Sequence, residues 1–515
     1  MNSSEMVTKE IVGQKSIFSN YAILVSQTFL TAGISVISSV FMYRILSVKS
    51  IGIAAIYISV LNSLIGLFLM WPVAGFLQYG REEYDRTKRL ERTFGSTFLM
   101  IGTLLIISAT FCILLREPLM HYIGLPLIWI GLLILDIFFK TLNGILNQIF
   151  YITSRIKKLF ILNLLSPCFM LIFVCYVWVT MGSIEVTTYL LVSASLSAVT
   201  FFFYLFFSRE YIFPFHFSFS EAKRILRFSG FLYGAAIFSF IYEQFDFLVI
   251  NHYRPAEQLA YYSLAYRLYT FITMLPMLST NLIYPIMISY RNLGHQDLFQ
   301  KYSSRTIPQL FFFWTIGCIA ILLVMPLAIP LLFGAAYRLS IPCFSIFCLS
   351  AILQFTIAFH SPIITSHERV DWSMKVNLIG TIIIAIGNLL LIPPMGIFGA
   401  SLATLISYGF NSIAYAYLTK RIVGGNYKGY EIIMVLFSVP VATVTIIEIP
   451  FALRMLTFAV VLMGMLWWSY RHRLFDKADL FFLEGLSLPR RIQRLVYITF
   501  AWLEPRNKVV RGFET

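Results

Sequence analysis

Residues 160–181 read FILNLLSPCFMLIFVCYVWVTM, a run of 22 residues without a charged side chain. A run of about 20 apolar residues is long enough to cross the roughly 30 Å hydrocarbon core of a bilayer as an α-helix. The run does not alternate polar and apolar residues with a period of two, so it is not a strand of a membrane β-barrel. It therefore predicts a membrane-spanning helix.

The composition of the whole chain agrees with this reading. Of the 515 residues, 59% are hydrophobic and 12% are charged, whereas soluble domains have about 45–50% apolar and about 25% charged residues. Similar runs recur along the chain and predict an all-α membrane protein with about fourteen transmembrane helices. These lie near residues 17–43, 51–79, 94–115, 122–150, 160–181, 187–208, 228–252, 259–287, 307–332, 342–364, 374–393, 397–419, 430–449 and 451–470.

The positive charges predict the orientation of the helices. Most of the 39 Lys and Arg lie in the termini and in alternate short loops. The opposite loops carry only Arg44, Lys49, Arg116, Arg254, Arg338 and Arg454. Because cytoplasmic loops are enriched in Lys and Arg, we expect a multi-pass protein of the cytoplasmic (inner) membrane with both termini in the cytoplasm. The polar first fifteen residues and the length of the first apolar run argue against a cleavable signal peptide.

The net charge of +15 has two further implications. No basic run is interleaved with aromatic residues on a soluble domain, so no nucleic-acid partner is predicted. The basic tail after Tyr470 has two open readings. Leu488–Leu503 is either an amphipathic helix on anionic membrane lipids or part of a loosely ordered tail that only fixes topology.

A weak internal repeat divides the chain. Ser50–Ala54 opens the second predicted helix, and Gln258–Tyr262 opens the eighth in the same way, 208 positions later. Such repeats are common in transporters. The expected organisation is an N-lobe at 1–227 with helices 1–6, a C-lobe at 228–428 with helices 7–12, helices 13–14 at 429–470, and a basic cytoplasmic tail at 471–515.

Three stretches carry a family resemblance. They are Asn388–Tyr408 (NLLLIPPMGIFGASLATLISY), Tyr242–Tyr253 (YEQFDFLVINHY, with a Gln-x-Asp at Gln244 and Asp246), and Arg44–Tyr57 (RILSVKSIGIAAIY). With them the chain, over about residues 17–425, resembles the polysaccharide flippase branch of the multidrug/oligosaccharidyl-lipid/polysaccharide exporter superfamily. Ala260 departs from the usual family glycine, and helices 13–14 and the tail match no family motif.

The resemblance implies a fold and a function. It implies two pseudo-symmetric six-helix lobes around a central cavity, with two extra helices, which rock between inward-open and outward-open states. It also implies a flippase that moves an undecaprenyl-diphosphate-linked oligosaccharide repeat unit of O-antigen, capsule or exopolysaccharide from the inner to the outer leaflet by alternating access. A polysaccharide polymerase of the same pathway is then a candidate partner.

Polar residues at bilayer depth are candidate site residues, because a charge there is costly and usually faces a cavity or a partner. Offsets of four, seven and eleven place Asp136, Lys140, Asn143 and Asn147 on one helix face. Asp136 and Lys140 also fit an intrahelical pair that neutralises itself. Glu243 and Asp246 are predicted on one face of the seventh helix, together with Ser239.

Roles follow from the chemistry of these groups. Arg267, helped by Lys140, is expected to bind the diphosphate, since a guanidinium suits paired phosphate oxygens. Asn143, Asn147 and Tyr266 complete the predicted substrate-binding set, and Tyr266 could stack on sugars. Asp246, Glu243 and Asp136 are the candidates for coupling to H⁺ or Na⁺. A structural bridge from Arg267 to Asp246 or Glu243 is the open alternative.

Other classes of protein fit less well. There is no Gly-rich phosphate loop followed by Lys-Ser or Lys-Thr and no clustered metal ligands, and the six cysteines lie in or beside apolar segments, so neither a cofactor nor a metal is predicted. A membrane polymerase or ligase usually needs a large outer loop, and every predicted outer loop is short, so the chain is predicted not to be an enzyme. A cation-coupled small-molecule exporter of the multidrug type shares the fold and predicts a smaller, more acidic or apolar cavity.

Overall fold

The computed structural model describes residues 3–424, 430–447 and 449–475. This part of the chain is helical almost throughout and contains no strand. The predicted amphipathic segment at 488–503 lies outside the described residues. The helices, in order, are α1 Ser3–Ile45, α2 Val48–Leu64, α3 Val73–Thr87, α4 Glu91–Leu114, α5 Arg116–Ile123, α6 Ile130–Ile152, α7 Ile156–Thr180, α8 Val186–Ile212, α9 Phe219–Glu243, α10 Phe245–Tyr253, α11 Ala256–Asn292, α12 Gln296–Lys301, α13 Ile307–Phe333, α14 Ser340–Ser366, α15 Val370–Met395, α16 Ile397–Val423, α17 Tyr430–Ile446 and α18 Phe451–Arg471.

The number of membrane-spanning segments is close to the predicted number. Twelve helical segments in the described residues are long and apolar enough to cross a bilayer. A further pair, Phe219–Gly230 and Tyr233–Glu243, passes the same test together but is bent by 49°. The apolar helix Ile433–Ile446, at the predicted thirteenth position, is shorter than these spans. The prediction of an all-α membrane protein is therefore confirmed, with twelve spans in the described residues, or thirteen if the bent pair is one span, against about fourteen predicted.

Two predicted helices are interrupted, which corrects the sequence reading. The second, expected at 51–79, ends its α-helical part at Leu64, continues as a π-helical turn at Ile65–Leu69 and breaks before α3. Pro72 lies in this break, where its missing N–H and its ring cannot continue a helix. The seventh, expected at 228–252, breaks at Gln244, whose φ of −130° is not helical.

Contacts between helix ends support the predicted alternation of sides. Arg81, expected on the cytoplasmic side, donates from Nη1 to the carbonyl oxygen of Ile152 at 2.7 Å, and Ile152 precedes another predicted cytoplasmic loop. Arg44, expected on the outer side, donates from Nε to the carbonyl oxygen of Leu332 at 2.7 Å, at the predicted outer end of α13. Each contact joins two helix ends that are predicted to lie on the same side of the membrane. A correct assignment of the helices requires this.

The repeat seen in the sequence reappears in the helix bounds. α1 ends at Ile45 and α10 at Tyr253, and α2 begins at Val48 and α11 at Ala256, so both pairs differ by the predicted 208 positions. A short 3₁₀ turn precedes α6, and another precedes α14. These turns begin at Leu127 and Ala335, again 208 positions apart, so the offset holds at three places in the chain.

Two glycines lie where neighbouring parts of the chain approach closely. Gly52, near the start of α2, lies so close to Ala256 that an added Cβ would stand 1.8 Å from its carbonyl oxygen. Gly396 joins α15 to α16 with a φ of +60°, and its added Cβ would meet Gln258 at 2.9 Å. The predicted turn at Pro393–Gly396 is thus confined to one residue, because both prolines continue in α15. A side chain is excluded by the backbone of Ala256 at the first glycine, and it is strained by the backbone conformation at the second.

The chain forms two compact units. Unit one comprises Met1–Leu264, Pro330–Tyr337 and Thr381–Ala403, and unit two comprises Ala265–Ile329, Arg338–Gly380 and Thr404–Thr515, as far as these ranges are described. The units divide α11, α13, α15 and α16, so they are not the predicted lobes. The lobe boundaries at 227 and 428 therefore stay a prediction.

Unit two is built around α14. In the span Ala335–Ser366, 78% of the residues in an apolar stretch of 18 residues are buried. The corresponding share is 17% in α7 and 17% in α18. Phe355 of α14 packs face to face with Phe359, with ring centroids 4.1 Å apart, and with Trp314 of α13 at 5.6 Å. α14 is therefore an interior helix of this unit.

Candidate functional site

The first set of polar groups at bilayer depth is the α6 stripe, which consists of Asp136, Lys140, Asn143 and Asn147. Lys140 Nζ lies 3.1 Å from Asp136 Oδ2, and the same oxygen accepts the Tyr57 hydroxyl of α2 at 3.4 Å. The Asp136 side chain is 1% exposed and that of Lys140 30%. The intrahelical pair that the spacing allowed is therefore present, and one edge of it remains accessible.

The two asparagines of the α6 stripe bind neighbouring helices. Asn143 donates to the carbonyl oxygen of Ser197 in α8 at 2.7 Å. Asn147 donates to Asn163 of α7 at 3.0 Å and to the Tyr204 hydroxyl of α8 at 2.9 Å. Interhelical hydrogen bonds of this kind stabilise membrane bundles. The asparagine donors hold α6 against α7 and α8, and their contact with a substrate stays a prediction.

Glu243 and Asp246 are not on one face of one helix, contrary to the sequence reading. Glu243 is the last residue of α9 and is exposed, whereas Asp246 lies in the first turn of α10 and is 1% exposed. Asp246 accepts the hydroxyl of Tyr262 in α11 and, at 2.8 Å, the N–H of Phe247. The break at Gln244 separates the two carboxylates, and only Glu243 faces open space.

Glu243 lines a cavity of about 300 Å³ in unit one, which we call the Glu243 pocket. Its walls come from α2, from the π-helical turn and the break that follow it, and from the end of α9. The polar and aromatic lining includes Asn62, Gly66, Trp71, Ser239, Glu243 and Gln244. The sequence reading anticipated Glu243 and Ser239 and missed the rest.

The pocket forms where two helices are irregular. The π-helical turn Ile65–Leu69 includes Gly66, where an added Cβ would meet nothing within 4 Å. At the opposite wall, the carbonyl oxygen of Gln244 accepts the Ser59 hydroxyl at 3.3 Å, which compensates in part for the helix break. Irregular backbone at membrane depth occurs only where it is buried in protein or lines a water-filled cavity, and π-bulges are frequent at functional sites.

The pocket lies near the middle of the membrane-spanning segments. Glu243 precedes the end of α10 at Tyr253 by ten residues, or about 15 Å at a rise of about 1.5 Å per residue. Asn62 follows the start of α2 at Val48 by fourteen residues, or about 21 Å. Both helix ends are predicted to be outer ends. In a hydrocarbon core of roughly 30 Å, Glu243 lies near mid-depth and Asn62 about two-thirds of the way from the predicted outer side.

Arg267 and Tyr266 belong to unit two. Both are half-buried in α11. The Tyr266 ring contacts the rings of Tyr269 and Phe347, with centroids 6.0 and 5.8 Å apart. The remaining predicted site residues, Lys140 and Asp136 among them, belong to unit one.

Within the part of the chain that the structure describes, no group of three or more His, Cys, Asp and Glu residues is arranged to hold a metal ion. Asp136 and Asp246 accept hydrogen bonds from hydroxyl, backbone amide and ammonium groups. Asp136 Oδ1 has no hydrogen-bond partner among the described residues.

Comparison with known proteins gives a family and a fold. The family model described as polysaccharide biosynthesis protein matches residues 17–291. Comparison with curated protein sequences finds no match.

Among solved structures, the chain is similar to "Lipid II flippase MurJ, inward closed conformation", with a TM-score of 0.67 and 13% identity over 87% of this chain and 99% of that one. It is similar to an inward-facing multidrug resistance MATE family transporter of the MOP superfamily, with a TM-score of 0.59 and 14% identity over 77% of this chain and 94% of that one. A MOP superfamily transporter from Pyrococcus furiosus gives a TM-score of 0.53 and 12% identity over 79% of this chain and 94% of that one. At these identities the similarities establish the fold of a MOP-type transporter.

Proposed function

This chain belongs to the polysaccharide biosynthesis protein family, and we propose that it is a flippase for a lipid-linked oligosaccharide. Its substrate would be an undecaprenyl-diphosphate-linked repeat unit, moved from the inner to the outer leaflet of the cytoplasmic membrane by alternating access around a central cavity. The family, and a fold shared with a structure named as a lipid II flippase, support this proposal. The structures similar in fold are named as a flippase and transporters, in keeping with a function that is not enzymatic.

The observation that carries the proposal is the exposed polar face of the Glu243 pocket at mid-membrane depth. Asn62, Ser239 and Glu243 are all exposed. A charged side chain facing hydrocarbon costs about 2.5–3.5 kcal/mol on insertion scales. These residues are therefore expected to face water, and a water-filled space at mid-membrane is what a polar headgroup needs in order to cross.

The roles of the other site residues are part of the proposal. Arg267, helped by Lys140, would replace the hydration shell of the diphosphate, and Tyr266 would pack against sugar rings. Asp246, Glu243 and Asp136 would bind H⁺ or Na⁺ differently in the two conformations, which is what coupling requires. The partner-free Oδ1 of Asp136 offers an oxygen to such a cation.

The direct test is reconstitution of the full chain in liposomes. The probe is the lipid-linked oligosaccharide extracted from producing cells that lack this gene, labelled with a fluorophore on a sugar. Active flipping exposes inner-leaflet probe to a membrane-impermeant quencher. Quenching beyond the outer-leaflet fraction, present with this protein and absent from protein-free liposomes, is the expected result. Equal quenching in the two preparations would refute the flippase.

Orientation in the inner membrane is a second part of the proposal. Both termini would lie in the cytoplasm, with membrane lipids around the spans and a polysaccharide polymerase of the same pathway as a partner. Reporter fusions after Arg254 and after Lys428 should give opposite compartment signals, because the positive-inside rule places Arg254 outside. The same signal at both positions would contradict the predicted topology.

The Glu243 pocket also favours a second candidate function, a cation-coupled exporter of small organic cations. A carboxylate beside the rings of Trp71 and Phe240 suits a delocalised cation. This candidate requires the negative charge of Glu243 for substrate binding. Export of a cationic dye such as rhodamine 6G that is lost in Glu243→Gln would favour it over the flippase.

A further inference from the structure

We propose that the Glu243 pocket is the sugar subsite of this transporter, separate from the place where the diphosphate binds. The inference rests on the proposed flippase function and assigns one part of the substrate to one named cavity. It predicts that sugar recognition and phosphate recognition can be removed independently.

The hydrogen-bonding groups of the pocket suit a polyhydroxylated ligand. Asn62 and Gln244 each provide an amide with two donors and an acceptor, and Ser239 adds a hydroxyl. Glu243 adds two acceptor oxygens. Sugar hydroxyls both donate and accept, so a mixed set of neutral groups around one carboxylate satisfies them from several directions.

An aromatic wall completes the recognition of a sugar. Trp71 lies in the break between the π-helical turn and α3, and its ring meets the ring of Tyr233 edge to face, with centroids 5.9 Å apart. This contact restrains the orientation of the indole. A broad, rigid aromatic side chain provides apolar contact area for the C–H face of a pyranose at a low cost in conformational entropy.

The charge of the pocket argues against the diphosphate as its occupant. Its lining contains a carboxylate and no Lys, Arg or His. A phosphate placed there would meet a like charge and no cationic donor, which is unfavourable at low dielectric. The cations predicted for the phosphates, Arg267 and Lys140, are not among the lining residues.

The size of the pocket sets the extent of the sugar that it holds. A volume of about 300 Å³ lies at the lower limit of the roughly 300–1,000 Å³ typical of small-molecule sites. It therefore suits a short piece of the repeat unit, with the rest of the oligosaccharide outside the pocket. An organic cation would fit the same volume, so the test must distinguish neutral from charged recognition.

The experiment measures binding to the purified full chain by native mass spectrometry with two probes. One is the lipid-linked oligosaccharide extracted from producing cells that lack the gene, and the other is undecaprenyl diphosphate without sugars. The variants are Trp71→Leu, which removes the aromatic wall, and Gly66→Leu, which fills open space in the pocket. Trp178→Leu and Gly131→Leu are the matched controls, because Trp178 is half exposed on α7 and Gly131 borders open space at the start of α6.

The expected result is selective weakening of sugar binding. Trp71→Leu and Gly66→Leu should each weaken binding of the sugar-bearing probe by at least about tenfold, equivalent to about 1.4 kcal/mol. Both should leave binding of the sugar-free probe unchanged. Glu243→Gln should retain most of the affinity for the sugar-bearing probe, because the amide still bonds hydroxyls. Both control variants should bind both probes like the unaltered protein.

Other outcomes would overturn the subsite or the function, and the two are distinguishable. If the unaltered protein binds both probes, but the pocket variants bind both as well as it does or lose affinity for both equally, the proposed sugar subsite is wrong. The proposed flippase function is not affected by that result. If the unaltered protein binds neither probe, the flippase itself fails. If it binds tetraphenylphosphonium and Glu243→Gln abolishes that binding, the pocket is an organic-cation site.

Discussion

The α6 stripe and the Glu243 pocket contain the same kinds of side chain at membrane depth, yet their surroundings differ. In the α6 stripe a carboxylate is buried against Lys140 and Tyr57, and two asparagines donate to adjacent helices. In the Glu243 pocket a carboxylate, an amide and a hydroxyl are exposed beside irregular backbone.

This difference separates two uses of polar residues in a membrane protein. Polar groups whose donors and acceptors are satisfied by the protein hold helices together, and each such bond contributes about 0.6 kcal/mol on average. Polar groups that remain exposed at mid-depth need water or a ligand. Loss of a bond within the α6 stripe should therefore lower stability, whereas loss of an exposed group in the Glu243 pocket should affect transport with little change in stability.

The largest expected effect is on coupling. The double variant Glu243→Gln and Asp246→Asn should abolish gradient-dependent transport, because neither amide can bind and release a proton. The fold should be retained, since an amide oxygen can still accept the Tyr262 hydroxyl at position 246. The measurement is flipping with and without imposed proton and sodium gradients. An unchanged gradient dependence would remove both residues from the coupling mechanism.

The next largest effect compares the two proposed phosphate-binding cations. Arg267→Ala should lose transport and Arg267→Lys should retain part of it, because the charge persists while the planar fork is lost. Lys140→Ala should lose less than Arg267→Ala, because Lys140 is already paired with Asp136. Polysaccharide export in cells, normalised to the amount of protein in the membrane, gives the comparison.

Two outcomes would change this interpretation. Full export by a stably expressed Arg267→Ala protein would refute phosphate binding by Arg267. If Arg267→Ala instead lowers membrane abundance, and additional removal of Asp246 or Glu243 restores activity, Arg267 serves a structural bridge.

A stability effect of intermediate size is expected in the α6 stripe. Asp136→Leu should lower the free energy of unfolding by about 1–3 kcal/mol, below the roughly 3–5 kcal/mol for breaking a fully buried pair, because Lys140 is partly exposed. Asp136→Leu combined with Lys140→Leu should recover much of this loss. Thermal unfolding in detergent checks both, with Glu243→Leu as the matched control, which should unfold like the unaltered protein. Equal losses from Asp136→Leu and Glu243→Leu would contradict the distinction between the two regions.

The smallest expected effect concerns the asparagine bonds. Asn147→Leu removes donors to Asn163 and Tyr204 and should cost about 1 kcal/mol of stability. Its rate of flipping should stay near that of the unaltered protein, if Asn147 acts only between helices. A marked loss of flipping with unchanged thermal stability would instead support the predicted contact of Asn147 with the substrate.

The sequence by itself determined the fold class, the approximate helix count and the repeat. Apolar runs of bilayer length can be recognised without knowledge of tertiary contacts, because each span must satisfy its own backbone hydrogen bonds in hydrocarbon. The repeat was visible in Ser50–Ala54 and Gln258–Tyr262, and the helix bounds of the structure confirm its offset of 208 positions. The family was likewise legible, since the motifs that indicated it are local in the chain.

Only the tertiary structure decided which polar residues are satisfied and which are open. A helical wheel placed Glu243 and Asp246 on one face, but the break at Gln244 buries Asp246 and exposes Glu243. Asn62 and Trp71 carry no periodic signal, and they reach the pocket because a π-helical turn and a break at Pro72 redirect α2. Hydrogen-bond partners and exposure are set by packing between residues distant in sequence, so spacing along the chain cannot reveal them.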